Sequence, residues 1–156
     1  MHQDPVLVAE ANADYACVLR SALAQAGFQP PYPVVECPEA LVAYLLGEAT
    51  FVNRKAYPLP SFLVLAFPAP VQFEMLRWIR SRAEYNHIQI AVLTEAERED
   101  EAAMARNLGA QFCHPKPSNR TRLVRLSKRW MRSGPRPKSP KPLPVQEAGR
   151  PARRRA

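Results

Sequence analysis

Three short apolar runs in this chain end on residues able to do polar chemistry. Glu10 follows Val6 to Ala9, Thr94 follows Ile88 to Leu93, and Lys116-Pro117 follows Gln111 to His114. A hydroxyl and an ammonium at the ends of neighbouring strands can bind an anion, and an acid beside them can hold the ammonium instead. One absence is as informative as these groups. No carboxylate lies between Glu48 and Glu74, and the strand in the middle of that gap, Ser61 to Phe67, ends on Ala66. Lys116 is left with two uses, binding an external anion or pairing with Glu10.

Two other clusters carry reactive side chains. Cys113 and His114 are a nucleophile and a base in sequence, but neighbours in a strand point to opposite faces, so the thiol reads as packing. Between Asn119 and Met131 the cations Arg120, Arg122, Arg125, Lys128 and Arg129, with Arg132 just beyond, surround an apolar strip of Leu123, Leu126 and Trp130. Such a run is by default a solvated face. Together with Lys138, Lys141 and Arg153 to Arg155 it becomes an electrostatic site for nucleic acid or an acidic protein, without a base-reading motif. The charge is divided along the chain. Residues 1 to 119 hold 9 Lys/Arg against 13 Asp/Glu, a net −4, and residues 120 to 156 hold 13 against 1, a net +12.

The elements that must position these groups alternate. Strands are expected at Val6 to Ala9, Pro33 to Glu36, Phe62 to Phe67, Ile88 to Leu93 and Gln111 to His114, apolar on both faces as in a buried parallel sheet. Helices are expected from about Tyr15 to Ala26, Pro38 to Leu46, Val71 to Arg82, Glu97 to Leu108 and Asn119 to Met131. In the first, Tyr15, Val18, Leu19, Ala22, Leu23 and Ala26 recur at helical spacing, Asn12 or Asp14 can cap the start, and Gly27 ends it. The resulting fold class is α/β: a flavodoxin-like doubly wound five-stranded parallel sheet with five helices. One domain is expected over residues 1 to 132. Residues 133 to 156, rich in Pro, Arg and Lys, have almost no large apolar side chains and read as a disordered basic tail.

These strand-end residues resemble the receiver domain of bacterial response regulators, over residues 5 to about 131. That family has an acidic pair after the first strand, an acceptor aspartate after the third, a Ser/Thr after the fourth and Lys-Pro after the fifth. The resemblance aligns the pair with Glu10 and Ala11 and the acceptor with Ala66; Thr94, Lys116 and Pro117 match fully. It also implies a cis peptide at Lys116-Pro117. Its aromatic switch position falls on Cys113, and Phe67 to Val71 is two residues shorter than the family loop and lacks its glycine. The segment Gly47 to Pro60 is similar to the extended loop of small stand-alone regulators that partner phytochrome-type sensor kinases.

The resemblance therefore implies a pseudo-receiver in two-component signalling that cannot be phosphorylated and acts by binding. With two of three carboxylates replaced, no Mg²⁺ or other cofactor is expected, and no enzymatic activity. The expected partners are a sensor kinase or other signalling protein, with a homodimer through the fourth helix, fifth strand and fifth helix. That face would join Glu97, Glu99, Asp100 and Glu101 to Arg122, Arg125 and Arg129. Two alternatives remain open: nucleic-acid association through the basic helix and tail, and phospho-regulation through an unrecognised acceptor. Three cysteines without metal-ligand spacing and no apolar run of membrane length give a cytoplasmic expectation.

Overall fold

In the computed structural model, which describes residues 5 to 133, five parallel strands form one sheet in the order β2-β1-β3-β4-β5. They are β1 (Val6–Ala9), β2 (Val34–Val35), β3 (Phe62–Leu65), β4 (Gln89–Thr94) and β5 (Phe112–Pro115). Helices α1 (Ala13–Ala26), α2 (Pro38–Leu46), α3 (Val71–Arg80), α4 (Glu99–Asn107) and α5 (Arg120–Ser133) connect or follow them. The order is that of a doubly wound flavodoxin-like sheet, with its switch point between β1 and β3.

Alternation along the strands builds two cores. Val6, Val8, Phe62, Val64, Ala66, Ala91 and Leu93 pack with the buried sides of α1 and α5, including Leu19, Leu23, Leu123 and Trp130. On the opposite face Leu7, Leu63, Leu65, Ile90 and Val92 pack with Leu41, Tyr44, Leu76 and Ile79 of α2 and α3. Because both faces are covered, the strands are apolar throughout, as their sequences require.

Local signals explain most of the ends. The Asn12 side chain accepts a hydrogen bond from the Tyr15 amide at 2.9 Å, so Asn12 and not Asp14 caps α1, and Gly27 closes it in the left-handed region at φ 107°. Other boundaries differ from expectation. The second strand has two residues instead of four, α3 stops at Arg80, and α4 begins at Glu99. Ser133, expected in the tail, is the last residue of α5; the rest of the expected tail lies outside the described residues.

The long segment after α2 is an ordered clasp. Arg54 donates to the carbonyls of Tyr44 at 2.8 Å, Leu45 at 2.7 Å and Tyr57 at 3.0 Å, satisfying the C-terminal end of α2. Tyr44, Phe51 and Tyr57 pack ring on ring beneath it, with centroids 5.0 to 5.9 Å apart. Gly47 takes φ 72°, and a Cβ there would lie 3.1 Å from the Arg54 guanidinium, so the turn needs glycine both for its backbone and for the clasp.

Candidate functional site

Parallel register brings the expected site residues to one edge of the sheet. Ala9 pairs with Leu65, Leu65 with Val92, and Thr94 with Pro115, so the next residues, Glu10, Ala66 and Lys116, emerge together at the carboxyl ends. Backbone bonds hold this edge: Glu10 N–H to Val35 O at 3.1 Å, Ala66 N–H to Ala9 O at 2.9 Å, and Lys116 N–H to Thr94 O at 2.8 Å.

The polar groups there are engaged with one another. Lys116 Nζ lies 2.9 Å from Glu10 Oε1 and 3.2 Å from Glu95 Oε2, and 5.0 Å from the centre of the Tyr15 ring. Glu10 is 2% exposed, and its second oxygen accepts the Asn12 N–H at 2.9 Å. The Tyr15 hydroxyl donates to Pro117 O at 3.2 Å, tying the start of α1 to the chain after β5. Burial first, then the charges of Glu10 and Glu95, push the Tyr15 phenol up to about 12, so it stays a neutral donor. The ammonium thus has two carboxylates and an aromatic face as partners, with no external anion required.

The other site residues do not face this cluster with free polar groups. Thr94 is buried and its hydroxyl donates to Ala96 O at 2.9 Å, a bond within its own loop. Ala66 is fully buried in the apolar layer under α1 and α5, and Ala11 is exposed. Gln72, in the first turn of α3, is 1% exposed and donates to Leu93 O at 2.8 Å, crossing from the helix to β4.

Comparison with solved structures adds the fold's relatives. Neither a family model nor a curated protein sequence matches the chain. A response regulator of red light signalling in R. palustris superposes with a TM-score of 0.73 at 18% identity, covering 86% of this chain and 96% of that one. A phosphorylated cyanobacterial phytochrome response regulator gives 0.71 at 22% identity, covering 88% and 100%. The Mn²⁺-bound form of the response regulator Rcp1 gives 0.67 at 16% identity, covering 89% and 99%. This chain has the receiver fold. In this fold Glu10, Ala66, Thr94 and Lys116 lie at the carboxyl ends of β1, β3, β4 and β5, and Ala11 and Ala66 carry methyl groups there.

One implication of the resemblance is corrected. Lys116-Pro117 is trans; among the described residues the cis bonds are Pro30–Pro31 and Ala69–Pro70. Glu95 and Tyr15, which are not among the expected site residues, complete the lysine's surroundings. Glu95 has a signal in the sequence, since it directly follows Thr94 and so leaves the same sheet edge. Helical spacing puts Tyr15 in the buried strip of α1, whereas its half-buried ring lies under the ammonium.

Cys113 is buried in the layer formed with α2 to α4, where burial pushes its thiol up. His114 is held below its usual range by burial and by Arg129 and Arg106. Trp78 is half-buried, its ring 5.9 Å from Tyr85 and covered by Arg82 at 5.2 Å. Trp130 is fully buried, with Phe62 5.6 Å away.

Helix α5 buries Leu123, Leu126, Ser127 and Trp130 and exposes all six of its cations. Arg125 lines a groove with α1, while Arg129 acts on His114 of β5.

Proposed function

We propose that this chain is a receiver-fold signalling module that works by binding and not by phosphorylation. The observation that carries the reading is the Glu10–Lys116–Glu95 cluster beside a buried Ala66 methyl. Lysine charge that could stabilise a phosphoryl group is already neutralised within the chain, and the acceptor position has no oxygen. Glu10 and Glu95 are the carboxylates beside Lys116, and both are engaged by it, which also weighs against a displaced acceptor.

Mg²⁺ does not fit this donor set. Glu10 would have to leave Lys116 to serve as a ligand, and the positions of the other two family carboxylates offer methyl groups. Among the described residues no three His, Cys, Asp or Glu side chains gather as a metal site. Two of the similar structures are a phosphorylated regulator and an Mn²⁺-bound one; in this chain the sheet edge holds the Glu10–Lys116–Glu95 contacts instead of a free carboxylate set.

The partner class is a sensor kinase or another signalling protein, in a cytoplasmic setting. No helix among the described residues is long and apolar enough to cross a membrane. Self-association through α4, β5 and α5 is part of the proposal, with Arg122, Arg125 and Arg129 as its basic side and Glu97, Glu99, Asp100 and Glu101 as its acidic side. Sedimentation at rising ionic strength tests that association, which should weaken with salt.

The module itself is tested by nuclear magnetic resonance with Mg²⁺ and beryllofluoride, an acyl-phosphate mimic. Unchanged amide shifts at Glu10, Ala66, Thr94 and Lys116 are expected. Saturable shifts centred on those residues would overturn the reading.

A further inference from the structure

The face of α5 that meets α1 carries a second, independent feature. Gln25 of α1 and Arg120, Thr121, Val124, Arg125 and Lys128 of α5 line an open groove of about 340 Å³. Ser21 organises its α1 side: its hydroxyl accepts Arg120 Nη2 at 2.6 Å and Gln25 Nε2 at 3.3 Å. Across both helices the one carboxylate is Asp14, seven residues before Ser21. The side chains of Arg125 and Lys128 have no ion pair or hydrogen bond to any described residue. Cations left unpaired beside amide and hydroxyl donors form a surface whose complement is a run of negative oxygens.

We infer that this α1–α5 groove binds the sugar-phosphate backbone of duplex nucleic acid, without reading sequence. Charge complementarity selects the occupant. A protein partner would need apolar anchors at the centre of the interface, and the groove offers half-buried Val124 alone. A membrane surface would need the apolar side of α5, and Leu123, Leu126 and Trp130 are committed to the core. A phosphate backbone needs cations and hydrogen-bond donors, which are what the groove presents. From Arg120 to Lys128 the helix rises about 12 Å, the axial length of three to four phosphates of one strand. The same chain supplies seven further Lys/Arg after Ser133, against Glu147 alone.

The test uses the full chain, a fluorescein-labelled duplex of mixed sequence, and anisotropy across a range of salt. Arg125→Glu with Lys128→Glu is compared with Arg122→Glu with Arg129→Glu, which alters net charge equally away from the groove. The groove pair should weaken binding at low salt at least tenfold more than the control pair. Its slope of log K against log salt should flatten by roughly two, near 0.9 for each phosphate that is no longer neutralised. Arg125→Gln with Lys128→Gln should show the same ranking at smaller amplitude, and thermal melts of all variants keep misfolding from mimicking the result. Equal weakening by both pairs, or no weakening by the groove pair, would overturn the assignment. So would equal competition by polyglutamate of matched charge, which would indicate an acidic protein instead.

Discussion

Lys116→Met should destabilise the domain by about 3 kcal/mol, because it strands Glu10 in the fold. The Glu10 carboxylate is 2% exposed and lies 2.9 Å from the ammonium. Removing one member of a buried ion pair typically costs about 3 to 5 kcal/mol, since the remaining charge is deprived of water and partner together. The lower end applies, because the Asn12 N–H still donates to Glu10 Oε2. Glu95 adds little: its side chain is 59% exposed, and exposed pairs contribute ~0 to 1 kcal/mol. For a domain of this size the melting point should fall by roughly 10 °C.

The partner control is Glu10→Gln combined with Lys116→Met, which removes the stranded charge. The double variant should recover about half of the stability, leaving a coupling near 2 kcal/mol in a double-mutant cycle. Urea unfolding followed by circular dichroism measures both. A single variant within ~1 kcal/mol of the parent, or a double variant no more stable than the single, would refute the idea that this pair closes the site.

Arg54→Ala should cost about 2 kcal/mol and speed amide exchange between Gly47 and Pro58, since it removes three charge-assisted bonds to carbonyls; unchanged exchange would assign the clasp to the aromatic cluster instead. His114 is held below its usual range in the fold, so on acidification the unfolded chain takes up its proton first. Stability should therefore fall as pH drops below about 6.5 and level off once the folded state is also protonated, and His114→Gln should remove that part of the decline in melts from neutral to mildly acidic pH. Ala66→Asp should destabilise the protein, because the site is fully buried in an apolar layer, and should label weakly with acetyl phosphate, because Ala11 and the Lys116 ion pairs remain. Robust labelling of that variant would contradict the role given to those two features.

Much of the architecture was legible because local and global signals agreed. The buried runs Val6 to Ala9 and Phe62 to Leu65, the Asn12 cap and Gly27 each specify the same alternation that the sheet completes. The site's edge was legible too, since parallel register places successive strand ends side by side. What escaped depends on neighbours remote in sequence. Tyr15 has the spacing of a core residue on α1, and its position under Lys116 requires the docking of two elements a hundred residues apart. Lys116-Pro117 is trans, the intrinsically favoured state of such a bond, and the dipeptide by itself does not specify cis. The start of α4 at Glu99 reflects Arg98, which takes extended backbone before the helix and lies 3.7 Å from both Asp100 and Glu101.

Intact-mass spectrometry of the full chain incubated with acetyl phosphate and Mg²⁺ decides whether this receiver fold lacks a phosphoryl acceptor, as proposed. The mass should remain that of the unmodified chain at every time point. Addition of one phosphoryl group, released by hydroxylamine as an acyl phosphate would be, would contradict the account.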